Sequence, residues 1–430
     1  MDQEQNIQNS PWITTTITSI ATCLAMGPFG SDIKSTNFVE KGVPVIRGGN
    51  LVGSKFRDDD FVYLTEEKAD KLKNSNAFPG DIVFTHRGTL GQVGIIPKNA
   101  RYPRYVVSQS QMKLTCDPKK ADSKFVYYFF LSPLGQNELL SNTSTTGVPA
   151  ISRPLSSLKM VNISLPPLPV QKKIASVLSS LDEKIELNTR MNKVLEEMAR
   201  SLFHRWFVEF EFPNADGKPY MSAGGKMVES EMGSVPEGWE VGTLDTVIDI
   251  IGGGTPKTTV SEYWSGDIPW FSMVDAPNDG DVFVLDTEKH ITQLGVENSS
   301  TRLLPIGTTI ISARGTVGRL AVVGVPMAMN QSCYGIHGKN DGTDYFVYFV
   351  LQSMVTELKL KGHGSVFNTI TRATINSQNI IVPDTSVICK YNDLVTPLFQ
   401  KIRANIIENK NMSKLRDFLL PKLMNGEIEF

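Results

Sequence analysis

Two arginines framed by glycines are the residues of this sequence best suited to contact a polyanion. Residues 87–91 and 314–318 share the pattern Arg-Gly-Thr-x-Gly. Glycine lets a backbone turn approach a phosphate closely, and a guanidinium can bind two phosphate oxygens at once. The alternative is structural, because an arginine can also pin a β-turn to a neighbouring carboxylate. The pattern therefore predicts either a phosphate contact or a braced turn at Arg87 and Arg314.

Other polar side chains in the repeated loops are of the types that read nucleic acids. Asn and Gln match adenine edges, Ser is tolerant of either purine or pyrimidine partners, and Arg and Lys bind guanine or phosphate. Each of these residue types is also common on a solvated surface. The candidates for DNA contact are Arg47, Asn50, Lys55, Arg57, Arg87, Ser108, Gln109, Lys257, Arg314, Arg319, Asn330 and Gln331.

No motif indicates a cofactor loop or a catalytic centre in this chain. The sequence contains no Gly-x-x-x-x-Gly-Lys-Ser/Thr loop. Residues 251–256 (Ile-Gly-Gly-Gly-Thr-Pro) could be read as a phosphate or S-adenosylmethionine loop, but they lack the spaced glycines of a dinucleotide fingerprint, which favours a tight turn. We therefore predict no catalytic residues and no cofactor bound by this chain.

The sequence does not indicate a metal site either. Asp384 followed by Glu408 and Lys410 matches a loose nuclease pattern, which needs clustered carboxylates to hold Mg²⁺. Here the second half lies well along a helix that leads away from Asp384, so we interpret the match as accidental. The cysteines are widely separated, which predicts neither a zinc site nor a disulfide framework: Cys23, Cys116, Cys333 and Cys389.

The candidate loops recur because most of the chain is present twice. Arg87 returns as Arg314 after 227 residues, while the apolar positions of the closing helices return after 217 residues. The matches keep their order as the offset falls, as expected of an old duplication with small loop changes. The copies agree at glycines, prolines and apolar positions and differ between them, so we expect two domains of one fold with different surfaces.

Each copy contains short β-type runs and a helical patch. In the first copy the runs are residues 43–46, 81–84 and 92–96, and the patch is residues 125–131. The runs are too close in sequence for crossover helices, so the strands should pair mainly antiparallel. The predicted fold class is mixed α/β, with two similar units, two long helices and a pseudo-two-fold internal repeat.

Two long helices, at about residues 170–207 and 387–423, close the two copies. Their apolar residues alternate in steps of three and four, with Asn188 and Asn405 at matching positions, which predicts an antiparallel coiled coil in which buried Asn fixes the register. The alternative is two ordinary core helices. The predicted pairing residues are Ile174, Leu178, Leu181, Ile185, Asn188, Leu195, Leu202, Leu398, Ile402, Asn405, Leu415 and Leu419. The predicted domains are 1–165, helix 166–212, 213–382 with a linker at 213–238, and helix 383–430.

Composition limits the cellular setting but not the function. The 430 residues carry a formal net charge of −2, so any phosphate backbone must be met by local basic patches or by other subunits. No apolar run is long enough for a membrane span, and the polar start is not a signal peptide. We expect a cytoplasmic protein without a membrane partner.

The duplicated architecture resembles the specificity subunit of a type I restriction-modification enzyme. The resemblance covers essentially the whole chain and is carried by Gly-Gly-Gly-Thr-Pro at 252–256 with Tyr263-Trp264 and Ile268-Pro269-Trp270, by both Arg-Gly-Thr-x-Gly loops, by Leu-Pro-Pro-Leu-Pro at 165–169, and by Leu-Asp-Glu-Lys-Ile at 181–185. The first copy departs from it with Gly-Pro-Phe-Gly at 27–30, where Gly-Gly-Thr-Pro is usual. The second lacks the full Pro-Leu-Pro run at Pro383.

The resemblance implies a division of labour. Each unit would be a target recognition domain that reads half of a bipartite site in double-stranded DNA. The helices would space the halves and dock two methyltransferase subunits, and translocase-nuclease subunits would complete the enzyme. S-adenosylmethionine, ATP and Mg²⁺ would then belong to the partner subunits.

Two other classes of function compete with this interpretation. One is a self-contained DNA methyltransferase or nuclease, which S-adenosylmethionine binding by the purified chain would reveal. The other is a protein-interaction scaffold that does not bind DNA. A binding assay with duplex DNA and the partner methyltransferase separates these cases.

Overall fold

The computed structural model describes residues 12–30, 32–53, 55–144, 147–277, 281–361 and 369–428. The chain forms two compact units, the first of residues 1–184 with 412–430 and the second of residues 185–411. Two helices of 40 residues each, Leu168–Phe207 and Thr385–Met424, contribute to both units. The predicted domain boundaries gave these helices segments of their own, whereas the compact units divide each helix between them.

The first unit contains two four-stranded sheets. One is antiparallel throughout, and the other includes a parallel pair, Val43–Ile46 beside Tyr105–Val107. In spatial order the strands are Ala21–Met26, Gln111–Cys116, Ile82–Thr85 and Val93–Ile95 in the first sheet, and Val62–Leu64, Val43–Ile46, Tyr105–Val107 and Asn76–Ala77 in the second. The short pairs are Ile13–Thr16 with Asn162–Leu165, Leu51–Val52 with Lys55–Phe56, and Thr143–Ser144 with Ala150–Ile151.

The second unit repeats this plan. Its larger sheet comprises, in spatial order, Ile248–Gly252, Cys333–Gly338, Thr309–Ser312, Leu320–Val323 and Phe283–Val284. Its smaller sheet comprises His290–Ile291, Trp264–Phe271 and Ala328–Met329, and its short pairs are Glu240–Thr243 with Asn379–Val382 and Met227–Ser230 with Gly233–Pro236. Trp264–Phe271 pairs parallel with Ala328–Met329, as Val43–Ile46 does with Tyr105–Val107.

Side-chain caps and prolines start the helices. Asp122 accepts a hydrogen bond from the backbone N–H of Phe125 at 3.0 Å, and Thr371 accepts one from Thr374 at 3.1 Å. Pro169 occupies the first turn of the first long helix, where its missing N–H costs nothing. The shorter α-helices are Ile17–Ile20, Glu66–Lys71, Ser123–Leu131, Pro133–Leu140 and Pro154–Met160 in the first unit, and Gln293–Glu297, Asp344–Lys361 and Arg372–Asn376 in the second.

The core of the first unit is closed by parts of both long helices. Ile174 and Leu178 of the first long helix are buried in one cluster with Leu420 and Leu423 of the second. Phe130 of the helix Ser123–Leu131 belongs to the same cluster. Burying side chains of this size stabilises a fold by about 1.5–3 kcal/mol each. The first unit therefore depends on both helices.

The second unit is closed in the same way by the other parts of the helices. Phe203 and Trp206 pack in one cluster with Tyr391 and Phe399, and the ring of Phe203 lies 5.8 Å from that of Phe346. The buried hydroxyl of Tyr391 also donates to the carbonyl of Ala199 at 3.1 Å. Each half of each helix thus belongs to the core of one unit.

Four asparagines pair across the long helices within the second unit. Nδ2 of Asn188 donates to Oδ1 of Asn409 at 2.9 Å, and Nδ2 of Asn405 donates to Oδ1 of Asn192 at 2.8 Å. The helices run antiparallel here, because the higher number on one helix pairs with the lower number on the other. At the repeat offset of 217, positions 188 and 192 correspond to 405 and 409, so exchanging the two copies maps one pair onto the other.

Most of the residues predicted to pair along the helices are shielded from solvent. Ile174, Leu178, Asn188, Ile402 and Asn405 are buried, and Leu181, Ile185, Leu195, Leu202, Leu398 and Leu419 are half-buried. Leu415 corrects the prediction, because its side chain is 47% exposed. An α-helix has 3.6 residues per turn, so positions at a strict seven-residue spacing gradually move away from the buried face. Next to Leu415, it is Arg416 that contacts the first helix, pairing with Asp182 at 2.7 Å.

The predicted fold class is confirmed. The units are mixed α/β with mainly antiparallel strands, and the strands Val43–Ile46, Ile82–Thr85 and Val93–Ile95 lie within a residue or two of the predicted runs. The helical patch is the helix Ser123–Leu131. Within the described part of the chain, no helix is both long enough and apolar enough to cross a membrane.

The pairing of Asn192 with Asn405 can be tested by a double-mutant cycle. Asn192→Leu and Asn405→Leu each leave a buried amide without its partner, which should lower the free energy of unfolding by about 1–3 kcal/mol. Nδ2 of Asn192 and Oδ1 of Asn405 have no partner among the described residues, so the double replacement removes two unsatisfied atoms as well. Denaturant unfolding should show the double variant to be at least about 1 kcal/mol more stable than additivity predicts. Strict additivity would contradict the pairing.

Candidate nucleic-acid interface

Four loops of the first unit are joined to one another by backbone hydrogen bonds. We call residues 27–30, 47–50, 87–91 and 108–111 the first loop cluster. The N–H of Gly27 donates to the carbonyl of Gln111, that of Ser108 to the carbonyl of Ile46, and that of His86 to the carbonyl of Ser110, each at 2.9 Å. The cluster brings together Arg47, Arg87, Ser108 and Gln109, which the sequence predicted separately.

The second unit contains the same arrangement. Residues 253–256, 272–275, 314–318 and 330–333 form the second loop cluster. In the matching bonds, the N–H of Gly253 donates to the carbonyl of Cys333 at 3.3 Å, that of Asn330 to the carbonyl of Phe271 at 2.9 Å, and that of Ala313 to the carbonyl of Ser332 at 2.8 Å. This cluster brings together Arg314, Asn330 and Gln331, and Arg319 directly follows its third loop.

The two glycine-framed arginines occupy equivalent places in the clusters. Arg87 forms an isolated antiparallel bridge with Ala150, and Arg314 forms one with Thr369. Both side chains are exposed, and neither guanidinium makes a hydrogen bond or an ion pair with another residue that the structure describes. A carboxylate that would pin the turn is therefore not found among the described residues.

Glycine is required at positions 27 and 253, where the first loop of each cluster passes close to the backbone of the turn at 108–111 or 330–333. A Cβ on Gly27 would lie 1.8 Å from the carbonyl oxygen of Ser108, and a Cβ on Gly253 would lie 1.8 Å from that of Asn330. Real Cβ atoms are excluded at such distances. The sequence Gly-Pro-Phe-Gly at 27–30, which departs from the usual family pattern, therefore keeps the glycine at the closest approach.

Asn50 belongs to the loop backbone rather than to an exposed reading surface. It is 2% exposed, its Oδ1 accepts from the N–H of Arg47 at 2.9 Å, and its Nδ2 donates to the carbonyl of Asp59 at 2.8 Å. Asp275 takes the equivalent place in the second unit and accepts from the N–H of Ser272 at 2.8 Å. This placement does not fit the predicted base contact by Asn50, whose amide is already committed.

The buried side chain of His86 supports the turn at residues 108–111 of the first cluster. The side chain is buried, and its Nε2 lies 3.0 Å from the carbonyl oxygen of Gln109, so Nε2 carries the proton in this contact. Burial lowers the pKa of His86, and the nearby Arg87 lowers it further, while the hydrogen bond to Gln109 acts in the opposite direction. In the second unit Ala313 stands in this place, and Oδ1 of Asn330 braces its own turn by accepting from Ser332 at 3.0 Å.

Several candidate cations bond to residues of neighbouring loops or lie beside the clusters. Arg47 donates to the carbonyl of Asp60 at 3.1 Å, Arg57 pairs with Asp59 at 3.2 Å, and Arg319 donates to the carbonyl of Pro277 at 3.4 Å. Lys55 lies in the hairpin that follows residues 47–50. The side chain of Lys257 is exposed, and its backbone carbonyl accepts a hydrogen bond from the indole N–H of Trp264 at 3.2 Å.

Sequence reasoning missed a cation at the second cluster. The guanidinium of Arg372 lies 5.7 Å from the centre of the Tyr334 ring, and a Cβ on Gly252 would come within 2.7 Å of it. The signal was present, because Ile-Ser-Arg at 151–153 recurs as Ile-Thr-Arg at 370–372. Arg372 therefore adds to the basic residues of this cluster.

The loose nuclease pattern resolves into separate structural contacts. Asp384 caps the second long helix by accepting from the N–H of Ser386 at 2.7 Å. Hydrogen bonds from the side chain and the backbone of Ser386 lower the pKa of Asp384. Glu408 accepts from Asn188 at 2.8 Å. Within the described residues, no group of three or more His, Cys, Asp and Glu side chains is placed to hold a metal ion.

Comparisons with known proteins agree with the sequence repeat. The family model described as Type I restriction modification DNA specificity domain matches residues 9–197 and 236–409, which together make up more than half of the chain. The Type I restriction enzyme HindI specificity subunit of Haemophilus influenzae is 26% identical over 447 residues, covering 90% of this chain and 94% of that protein. The Type I restriction enzyme MjaIX specificity subunit of Methanocaldococcus jannaschii is 26% identical over 381 residues, covering 86% and 84%.

A solved structure shares the fold. The crystal structure of the type I restriction-modification system S subunit from M. genitalium superposes with a TM-score of 0.61 at 17% identity, covering 96% of both chains. At this identity the likeness concerns the fold alone.

Exchanging the two capping residues tests the structural role of Asn50. Asn50→Asp removes the donor to Asp59 and turns a carboxylate toward carbonyl oxygens, while Asp275→Asn weakens the bond that Oδ1 of Asp275 accepts from Glu288 at 2.7 Å. Each variant should lose about 1–3 kcal/mol in denaturant unfolding. The exposed Gln109→Glu should change stability by less than about 0.5 kcal/mol. Unchanged stability of Asn50→Asp would make the Asn50 amide available for base reading again.

The buried His86 predicts a pH-dependent part of the stability. Its pKa is lowered from the ordinary value of 6.5, so the unfolded chain binds the proton more tightly than the folded one. This contribution is fully present above about pH 6.5 and is lost as the pH falls through the lowered pKa. His86→Ala should therefore lose less stability than the parent between pH 7.5 and pH 5.5, measured by denaturant unfolding. Equal losses would show that His86 is not desolvated.

Proposed function

The chain belongs to the family of type I restriction modification DNA specificity domains, and from this premise we propose that each unit reads one half of a bipartite site in double-stranded DNA. Its relatives are specificity subunits, and the chain is accordingly a DNA-recognition subunit rather than a catalytic one. The observation that carries the proposal is that one four-loop cluster occurs twice with different side chains.

The shared and the varied positions of the clusters have different roles. Gly27 and Gly253 pack on the same carbonyl position, and Arg87 and Arg314 form the same isolated bridge, so the clusters share a frame. In both, the exposed arginine would bind a phosphate. Around this frame, residues 108–109 are Ser-Gln in one unit and residues 330–331 are Asn-Gln in the other. Contacts to phosphate position a protein on DNA and contacts to base edges specify the sequence. This division supports two readers with different targets.

We propose that the long helices dock two methyltransferase subunits and set the spacing of the half-sites. Leu187, Val194 and Met198 of the first helix are exposed apolar residues at spacings of seven and four, which is a helical stripe. Leu415 and Phe418 of the second helix are exposed as well. Apolar side chains grouped in this way commonly mark protein contacts, which supports a docking role.

The same proposal assigns the chemistry to the partners. S-adenosylmethionine, ATP and Mg²⁺ would be bound by the methyltransferase and translocase-nuclease subunits, and the complex would act on DNA in the cytoplasm. The chain itself would supply binding energy and sequence choice. Detectable S-adenosylmethionine binding by the purified chain alone would favour a self-contained methyltransferase instead.

Salt-dependent binding of DNA by the complex with methyltransferase subunits tests the role of Arg87 and Arg314. If each holds a phosphate, Arg87→Ala and Arg314→Ala should weaken binding to all sequences alike and reduce the slope of log K against log salt by about 0.9. If either reads guanine, the loss should be about 1–3 kcal/mol and confined to sites with that base.

A matched control removes a charge elsewhere in the first unit. Lys71 is exposed in the helix Glu66–Lys71 and pairs with Glu67 at 2.5 Å, outside the loop cluster. Lys71→Ala should leave both the affinity and the salt slope near those of the parent. Unchanged binding by both arginine variants would contradict the phosphate role of the clusters.

A further inference from the structure

Phe29 is an aromatic residue that the fold leaves in solvent. Its side chain is 81% exposed, more than any other large apolar side chain that the structure describes as exposed. It lies in the loop 27–30 of the first cluster, beside the turn that carries Ser108 and Gln109. A ring in this position contributes nothing to the core, so it is free to contact a ligand of the cluster.

The loop holds Phe29 in place from both sides. Gly27 packs on the carbonyl of Ser108, as described above, and its N–H donates to Gln111 at 2.9 Å. On the other side, the N–H of Asp32 donates to the carbonyl of Phe29 itself at 2.8 Å. The backbone of Phe29 is therefore anchored to the cluster while its ring projects from it.

Gln109 lies directly beside this loop. A Cβ on Gly30, the residue after Phe29, would come within 2.8 Å of Oε1 of Gln109. The Gln109 side chain is exposed, and its amide makes no hydrogen bond with another residue in the described part of the chain. The loop that carries the exposed ring of Phe29 thus lies beside the side chain of Gln109, with Gly30 at the point of closest approach.

The major-groove edge of one A·T base pair matches this combination. Adenine offers the N7 acceptor and the N6 donor, which a glutamine amide can bind together. Its partner thymine places an apolar methyl group on the same edge, and Phe is one of the side chains that contact this methyl. A G·C pair offers no methyl group and a different order of donors and acceptors.

We propose that Gln109 and Phe29 together read one A·T base pair in the half-site of the first unit, Gln109 through adenine and Phe29 through the thymine methyl. The inference rests on the proposed function and names the base pair and the residues that read it. Arg87 of the same cluster would hold a neighbouring phosphate and so fix the distance of the turn from the groove.

The second unit uses different chemistry at the same place. Thr255 stands where Phe29 stands when Gly253 is aligned with Gly27, and the Thr255 hydroxyl bonds to Oε1 of Gln331. This contact occupies the amide oxygen of Gln331 and provides no apolar ring. The second unit should therefore lack the response to thymine methyl groups that Phe29 gives the first.

Uracil substitution tests the methyl contact directly. The complex with methyltransferase subunits is titrated with duplexes of its own site, located by sequencing N6-methyladenine, in which each thymine in turn is replaced by uracil. Uracil pairs as thymine does but lacks the methyl group. At one position the parent complex should bind about fourfold more weakly, the effect of one buried methyl group. Phe29→Ala should bind the thymine duplex more weakly and show no response to uracil at that position.

Two variants serve as controls. Gln109→Ala should lose discrimination at the same base pair, against both G·C and C·G. Met160→Ala removes another exposed apolar side chain, 70% exposed at the end of the helix Pro154–Met160, and should respond to uracil as the parent does.

The outcomes separate this inference from the proposed function. Site-specific binding in which no uracil effect depends on Phe29 would overturn the inference and leave the proposed function standing. Equal weakening of Phe29→Ala on every sequence would also overturn it, because it would indicate a contact without base reading. Failure of the parent complex to prefer any sequence would overturn the proposed function and the inference with it.

Discussion

The interaction on which the rest of the structure depends is the packing of both long helices into the core of each unit. In the first unit Ile174 of one helix and Leu423 of the other share a cluster, and in the second unit Phe203 and Tyr391 do so. Neither core is complete without parts of both helices, which are far apart in sequence. Each copy of the helix therefore contributes to the core of both units.

This constraint explains how recognition can vary while the fold does not. The helices and sheets hold the loop clusters through backbone bonds that recur in both units, such as Gly27 to Gln111 and Gly253 to Cys333. Side chains that project from the clusters, such as Phe29 and Arg87, contribute little to the core and can change at small cost in stability. Buried residues within the clusters, such as Asn50, fit the local backbone of their own unit. Under the proposed function, specificity would then lie on residues that the fold does not need.

The sequence predicted the features that appear in it as a periodic spacing of residues or as an internal repeat. The long helices were placed within about two residues, and Asn188 and Asn405 were placed on the seam, because helical spacing and duplication are visible in a single chain. Contacts set by the third dimension were not predictable. Leu415 fits a heptad but turns outward as the buried stripe drifts, and a loop residue such as Asn50 carries no sign of burial. The partners of the seam asparagines, Asn409 and Asn192, became evident only from the pairing.

The most direct test of the account is an exchange of one unit's globular part. Residues 239–375 are replaced by those of a relative, the parts of both long helices are kept, and the methylated site is found by sequencing N6-methyladenine in cells that also contain the methyltransferase. The account predicts that one half of the site changes while the other half and its spacing stay the same. A site altered in both halves, or in neither, would contradict independent reading by two loop clusters.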